Sequence, residues 1–111
     1  MSGESTNDVL RGTLDLLILQ TLSGTPRHGW AITQRIQELS EDALQVGQGS
    51  LYPALQRLEQ RGWVDSEWRQ TEQNRRAKYY TLTRSGRRAL GEELAGWRSY
   101  VRAVDMVLEG G

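Results

Sequence analysis

The residues best equipped for recognition chemistry lie between Gly47 and Gly62. Arg and Gln present paired donors and acceptors that match the edges of guanine and adenine, and Gln56 and Arg57 are adjacent here. At about 100° per residue, an apolar face separates from a polar one. The pattern predicts an amphipathic helix whose polar side can read bases, although an ordinary solvated surface has the same composition. The apolar face holds Leu51, Ala54, Leu55 and Leu58, and the polar face holds Ser50, Pro53, Gln56, Arg57 and Gln60, with Tyr52 on its flank.

A second group of candidates, Arg75, Arg76 and Lys78, follows this helix. Residues 63–68 alternate apolar and polar side chains, and residues 77–82 are rich in Tyr and Thr, as strands are. The polar residues 70–76 between them predict the tip of a β-hairpin. Cations at that tip could contact a phosphate backbone, but cations are common in loops.

The charge of the chain is neutral overall and uneven locally. Lys and Arg number 14, as do Asp and Glu, yet residues 57–88 hold nine basic residues against four acids. Attraction confined to one surface suits a sequence-specific nucleic-acid binder, whereas a uniformly basic protein binds without selectivity. A solvated charged surface is the alternative explanation.

Several classes of chemistry are excluded or not expected. The absence of cysteine excludes disulfides and thiolate sites. His28 has no His or Cys companion, so we expect no metal site and assign His28 to the turn before the second helix. Phosphate-binding glycine loops and nucleophile motifs are missing, so neither a cofactor nor enzymatic activity is expected. No apolar run could span a bilayer and residues 1–8 resemble no signal peptide, which predicts a cytoplasmic protein.

The elements that must position these residues follow from periodicity and caps. Helices are predicted over residues 8–22 and 29–39, then a third helix ending at Gly62, and a last helix from Thr83 to about Leu108. Helix, helix, helix, hairpin, helix is the order of a winged helix-turn-helix, an α+β fold whose third helix enters the major groove. We predict a DNA-binding domain over residues 1–83 and a dimerisation helix over residues 84–111, forming one compact unit.

The last helix carries an apolar seam at spacings typical of a heptad repeat. Only part of such a seam can pack on the helix's own domain, so a second copy is expected to cover the rest. The alternative is that the helix folds back wholly on its own core. The seam consists of Leu90, Leu94, Trp97, Val101, Val104 and Leu108.

Four segments together resemble the PadR family of winged-helix transcription regulators, in its short form with a single C-terminal helix. They span residues 9–90 in the family's order and spacing. Two departures concern base contacts: Gly47-Gln48 replaces a common Ser-Pro, and Gln73-Asn74-Arg75-Arg76 replaces prolines at the hairpin tip. The segments are Leu10-Arg11-Gly12-Thr13-Leu14-Asp15, His28-Gly29-Trp30-Ala31-Ile32, Gly49-Ser50-Leu51-Tyr52-Pro53-Ala54-Leu55 with Arg57-Leu58-Glu59 and Gly62, and Arg76-Ala77-Lys78-Tyr79-Tyr80-Thr81-Leu82-Thr83 with Gly86.

The resemblance implies a homodimeric repressor of a palindromic operator, released by a small and often aromatic inducer. A tryptophan of the last helix lines a flat pore between protomers in drug-sensing members, and Trp97 is the matching position. We therefore expect an effector site at Trp97, with Tyr100 and Trp30 as further wall candidates; the alternative is that Trp97 fills the dimer core. The expected DNA contacts are Gln48, Ser50, Tyr52, Pro53, Gln56, Arg57, Arg75, Arg76 and Lys78.

Two rival classes remain beside the DNA-binding repressor. A winged helix used only for protein assembly would need a neutral hairpin, which the arginine cluster disfavours. An enzyme would need a catalytic constellation that the sequence does not offer.

Overall fold

The computed structural model of the chain describes the backbone of residues 3–111 and the side chains of residues 12–111. The elements follow the predicted order, with one short strand added. The helices are α1 (Gly3–Thr21), α2 (Gly29–Leu39), α3 (Gln48–Gln60) and α4 (Arg84–Gly110), and the strands are β1 (Arg27–His28), β2 (Val64–Gln70) and β3 (Arg76–Leu82).

One apolar core joins the first three helices to the base of the hairpin formed by β2 and β3. α1 packs against α2, α3 and α4, so it lies between the other helices. β3 is the central strand of an antiparallel sheet in the order β1-β3-β2. The core consists of Ile18, Leu19, Leu22, Ile32, Ile36, Leu51, Ala54, Leu55, Leu58, Val64, Tyr80 and Leu82.

The end of α3 is fixed by backbone geometry that only glycine adopts readily. Gly62 has a φ of 78°, as its predicted capping role requires. The N–H of Trp63 donates to the carbonyl of Leu58 and that of Gly62 to Glu59, which together form a Schellman motif. β2 therefore begins at Val64 rather than at Trp63.

Thr83 joins the hairpin to α4 and to the end of α3. Its hydroxyl accepts a hydrogen bond from the N–H of Gly86 at 2.9 Å, which confirms the predicted cap, and donates to the carbonyl of Gly62 at 2.7 Å. Its own N–H donates to the carbonyl of Trp63. A Cβ at Gly86 would overlap that same carbonyl oxygen, so the junction has no space for a larger residue.

Some boundaries differ from the sequence prediction. α1 begins at Gly3 rather than Asp8, because the polar residues 5–8 continue the helix instead of capping it. The side chains of those residues and of Leu10 lie outside the described part of the chain. α3 begins at Gln48, which places Pro53 in its second turn rather than its first. The proline has no N–H to offer the Gly49 carbonyl there.

α4 extends well beyond the core. A helix of 27 residues is about 40 Å long. The described chain measures 56 × 28 × 27 Å, and its radius of gyration of 15.4 Å exceeds the ~13 Å expected of a compact chain of this length. The second half of α4 is therefore solvent-exposed in a single protomer.

Candidate nucleic-acid interface

α3 buries one face and exposes the other, as predicted. Leu51, Ala54, Leu55 and Leu58 are buried in the core. The first turn contains no acidic residue, so the positive end of the helix dipole is not neutralised by its own side chains. On the predicted polar face, Ser50, Pro53, Gln56 and Gln60 are exposed, as is Tyr52 on its flank. Gln48, a further expected DNA contact at the start of α3, is also exposed.

Tyr52 is held in place by a glycine at the start of α2. A Cβ built on Gly29 would lie 2.5 Å from the Tyr52 hydroxyl oxygen and 2.9 Å from its ring carbon Cζ. The ring of Tyr52 can therefore lie against the backbone of α2 only because residue 29 has no side chain. This contact sets the position of Tyr52 on the exposed surface of α3.

Arg57, predicted to read a base, does not point freely outward and already has a partner within the protomer. Its Nη2 donates to Oδ1 of Asp15 on α1 at 2.8 Å, and the Arg57 side chain is only 29% exposed. α3 packs against α1, so a residue at the border of the apolar face meets α1 and its carboxylate. The helical pattern marked position 57 as polar but gave no sign of the acid opposite it.

The outer half of the hairpin, here called the wing, presents aromatic and cationic side chains on one face. Register pairs Trp68 with Lys78 and Gln70 with Arg76. These residues share the sheet face that is buried at Val64 and Leu82, but lie beyond the core. Trp68 is 60% exposed, and the Arg76 guanidinium lies 5.5 Å from its ring centre.

The wing tip is ordered by hydrogen bonds around Asn74, which has a φ of 63°. The N–H of Thr71 donates to the carbonyl of Arg75, and the Gln70 amide donates to Oδ1 of Asn74. Arg75 and Arg76 are exposed, and neither takes part in an ion pair within the part of the chain that the structure describes. Both cations are thus positioned to meet an anionic partner.

Lys78 is less free than predicted. Its Nζ lies 4.0 Å from a carboxylate oxygen of Glu59 and 5.9 Å from the ring centre of Tyr80. Glu59 also accepts a hydrogen bond from the Ser66 hydroxyl at 2.7 Å. The charge of Lys78 is therefore partly offset by Glu59 of α3. A contact between Lys78 and a phosphate would compete with this ion pair.

Tyr80 forms the floor between α3 and the wing. Burial raises the pKa of its hydroxyl above the ordinary value of 10.0, and the negative charge of Glu59 and the proximity of Tyr52 act in the same direction. The hydroxyl therefore stays protonated at neutral pH and remains a hydrogen-bond donor.

An open groove of about 630 Å³ lies between the wing, α3 and the start of α2, and is here called the wing groove. Aromatic faces alternate with cations along it, which suits contact with sugars and phosphates. The contributions of Trp30 and Trp68 were not predicted from the sequence; the alternation of β2 could have placed Trp68 on this face. The wing groove is lined by Trp30, Tyr52, Trp68, Arg75, Arg76 and Lys78, among others.

A smaller cavity of about 300 Å³ lies between α1 and α4. Trp97 and Tyr100 form its aromatic wall, with ring centres 6.2 Å apart. Thr13 and Leu16 of α1 lie on the opposite side. Trp30, the third candidate for an effector site, does not line this cavity: it lies in the first turn of α2, stacks on His28 and borders the wing groove.

The apolar seam of α4 divides between two environments. Leu90, the first residue of the predicted dimer seam, is partly buried and packs against the core of its own protomer. Further along, Trp97 is 40% exposed, and Val104 and Leu108 are also exposed. Tyr100 and Val107 flank this apolar surface and are exposed as well.

Among the described residues, no helix is long and apolar enough to cross a bilayer, and no group of His, Asp or Glu side chains is arranged to hold a metal ion. His28 caps α2, with its Nδ1 accepting a hydrogen bond from the N–H of Ala31.

Comparison with known proteins finds a match to the transcriptional regulator PadR-like family over residues 18–92. The transcriptional regulator Rv3488 of Mycobacterium tuberculosis is 36% identical over 94 residues, covering 85% of this chain and 84% of the relative. Among solved structures, a PadR family transcriptional regulator from Eggerthella lenta is 33% identical with a TM-score of 0.76, covering 97% of this chain and 93% of that one. A transcriptional regulator from Clostridium thermocellum is 26% identical with a TM-score of 0.81, covering 89% and 96%.

Proposed function

Because the chain belongs to the PadR-like family of transcriptional regulators, we propose that it is a homodimeric repressor that binds a palindromic DNA operator and leaves it when a planar aromatic effector binds. The family assignment makes the chain a regulator and not an enzyme. The observation that carries the DNA-binding proposal is the wing groove, where Tyr52 of α3 lies beside Arg75 and Arg76, two cations with no ion pair among the described residues.

DNA binding is supported by how the parts of this surface complement a duplex. The exposed face of α3 from Gln48 to Gln56 is polar and suits a major groove. Arg75 and Arg76 extend from the wing beside it and line the same groove, where they could meet the phosphate backbone of a bound duplex. Phosphate contacts supply affinity and register, and base contacts supply sequence preference. We assign the first role to the wing and the second to α3.

Selection of duplexes from a random-sequence pool tests this proposal. Enriched duplexes should contain two symmetric half-sites about one helical turn apart, since a two-fold dimer places its two α3 helices in successive major grooves. A gel shift should then separate the selected duplex from a scrambled one of equal composition. A protein that enriches no sequence would refute the proposal.

Dimerisation through α4 is supported by the apolar surface that the helix exposes beyond the core. Trp97, Val104 and Leu108 lie on it at the spacing of a helix–helix seam. Sedimentation at micromolar concentration should give a dimer for the wild type. Val101→Glu should shift it towards monomer, because a desolvated charge in the seam costs several kcal/mol.

Ser99→Glu is the matched control for that experiment. It adds the same charge about 160° around the helix from Val101, at an exposed position. The dimer should therefore persist in this variant. A monomeric wild type would contradict the proposal that α4 is a dimerisation helix.

The effector site is proposed at the cavity between α1 and α4. The Trp97 and Tyr100 rings offer flat apolar surfaces on which a planar aromatic molecule can stack at about 4.5–7 Å. Such a ligand can release DNA only if it favours a different separation of the two α3 helices. Fluorescence titration with planar aromatic compounds should show quenching that Trp97→Ala abolishes, while Trp97→Phe retains binding. Equal quenching in the wild type and Trp97→Ala would place Trp97 in the dimer core only.

A further inference from the structure

We infer that Asp15 is a positioning residue for DNA recognition: it fixes the orientation of α3 and so sets sequence discrimination without touching DNA itself. The inference rests on the proposed DNA binding and goes beyond it. It assigns a role in specificity to a carboxylate on α1, the helix that packs against both α3 and α4.

The Asp15 carboxylate contacts Arg57 in α3 and, one helical turn later, Arg61, the residue that caps the C-terminal end of α3. Oδ1 accepts a hydrogen bond from Arg57 at 2.8 Å, and Oδ2 lies 4.0 Å from Nη1 of Arg61. The Asp15 side chain is only 10% exposed. A single carboxylate between two successive turns restrains both the rotation of α3 about its axis and its tilt against α1.

A further contact of Arg61 strengthens that restraint. The Arg61 guanidinium lies 5.1 Å from the ring centre of Trp63, the residue that completes the Schellman motif at the end of α3. The ion pairs with α1 therefore hold the C-terminal end of α3. The exposed reading face lies in its N-terminal half, from Gln48 to Gln56.

This arrangement amplifies small rotations. Gln48 lies about 14 Å along the helix from Arg57, at about 1.5 Å per residue. A tilt of about 5° at the anchor would move the start of α3 by about 1.2 Å, which is enough to take a donor out of hydrogen-bond range of a base. Base contacts should therefore depend on the anchor, while phosphate contacts from the wing should not.

The position of Asp15 on α1 links this anchor to α4. Thr13 and Leu16, on either side of Asp15, line the cavity that α1 forms with Trp97. Asp15 thus lies where α1 contacts α3 on one side and the α4 cavity on the other. A change in how α1 sits on α4 would reach α3 through this ion pair.

The test compares affinities for a selected duplex and for a scrambled duplex of equal length. Asp15→Asn should lower the ratio of the two affinities by about tenfold, a coupling typical of a contacting charged pair. Affinity for the scrambled duplex and its salt dependence should stay near the wild-type values. A merely stabilising role would lower the melting temperature and leave this ratio unchanged, provided that binding is measured well below that temperature.

Glu38→Gln is the matched control. It also removes one negative charge from an ion pair with an arginine, Arg35, at 3.4 Å on α2, where both partners are exposed. The affinity ratio should not change. A ratio that falls equally in Glu38→Gln and Asp15→Asn would trace the effect to net charge and overturn the inference.

Arg57→Gln examines the same contact from the more exposed partner, and carries the test if Asp15→Asn does not fold. Its affinity ratio should fall as in Asp15→Asn, and the double variant should lose no more than either single one. Arg57→Lys should restore the ratio only in part, because an ammonium lacks the planar fork of guanidinium. A folded Asp15→Asn or Arg57→Gln protein with the wild-type ratio overturns the inference. A wild type that does not distinguish the two duplexes refutes the proposed DNA binding instead.

Discussion

Two pairs of arginines, one on α3 and one on the wing, carry the same charge in opposite settings. Arg57 and Arg61 face the buried carboxylate of Asp15, whereas Arg75 and Arg76 extend from a turn and form no ion pair within the described residues. The first pair contributes to the folded structure and the second is available to a partner. The nearest carboxylate, and not the residue type, separates the two roles.

The largest difference between the two pairs should appear in stability. Arg57→Ala leaves the Asp15 carboxylate buried without its closest cation, which should cost about 2–3 kcal/mol of unfolding free energy. Urea denaturation at fixed protein concentration measures this cost. Arg76→Ala is the comparison and should change the unfolding free energy by less than about 0.5 kcal/mol. Similar losses in both variants would remove the distinction between anchored and free arginines.

The wing arginines, which should matter little for stability, should matter most for DNA affinity. Arg75→Ala or Arg76→Ala should weaken binding to every duplex about three- to tenfold and reduce the slope of log affinity against log salt by about 0.9, because each phosphate contact releases counterions. Anisotropy titrations at several salt concentrations measure both. Arg102→Ala, on the opposite face of α4 from the seam, should change neither. A wing variant that alters sequence preference and keeps the salt slope would reverse the assigned roles.

Two aromatic residues, Tyr52 and Trp68, likewise differ in whether they are held by the protein, and the expected effect on binding is smaller. Tyr52 is anchored on the bare backbone of Gly29, whereas Trp68 stands free on the wing. Gly29→Ala should push the flexible end of Tyr52 off α2 and weaken binding to the selected duplex about two- to fivefold, a free-energy change below about 1 kcal/mol. Gly91→Ala is the control, because a Cβ there meets open space within its own helix. Equal affinities in both variants would show that the position of Tyr52 is irrelevant.

Lys78 is the intermediate case, partly held by Glu59, and gives the smallest effect. Glu59→Gln should release it and strengthen DNA binding about twofold, with a slightly steeper salt dependence. The pKa of Tyr80 should fall towards its ordinary value, because the charge of Glu59 is one cause of its increase. Absorbance titration of the tyrosines measures that shift.

The control for this last variant is Glu67→Gln, which removes an equal charge from the other face of β2, where Glu67 pairs with Arg69. It should leave the pKa of Tyr80 unchanged. If the pKa of Tyr80 is unchanged in both variants, Lys78 already neutralises the charge of Glu59 at Tyr80.

The helices and most of their ends were predictable because they depend on local signals in the sequence, namely apolar periodicity, capping residues and glycine. The helical periodicity of residues 29–39 predicts α2, Thr83 predicts the start of α4, and Gly62 predicts the end of α3. All three predictions are confirmed. β1 has only two residues and no pattern of its own. Its pairing with β3 depends on the packed structure, so the sequence offered no sign of it.

The site was predictable in its exposed residues and not in its contacts. Ser50, Pro53 and Gln56 are exposed because they point away from the buried apolar face, which periodicity reveals. The anchoring of Arg57 by Asp15 joins residues 42 positions apart, so only tertiary packing could disclose it. The place of Trp30 beside the wing likewise depends on how α2 packs on the hairpin.

The hydroxyl of Thr83 has a consequence for how the protein unfolds. One residue joins the end of α3, the close of the hairpin and the start of α4: its hydroxyl bonds Gly62 and Gly86, and its N–H bonds the carbonyl of Trp63. Opening at this point is therefore global and rare, and the amides of Thr83 and Gly86 should belong to the slowest class in hydrogen exchange. The wing tip, held only by its own turn, can open repeatedly without disturbing that junction. The amides of the wing tip should therefore exchange faster than those of Thr83 and Gly86.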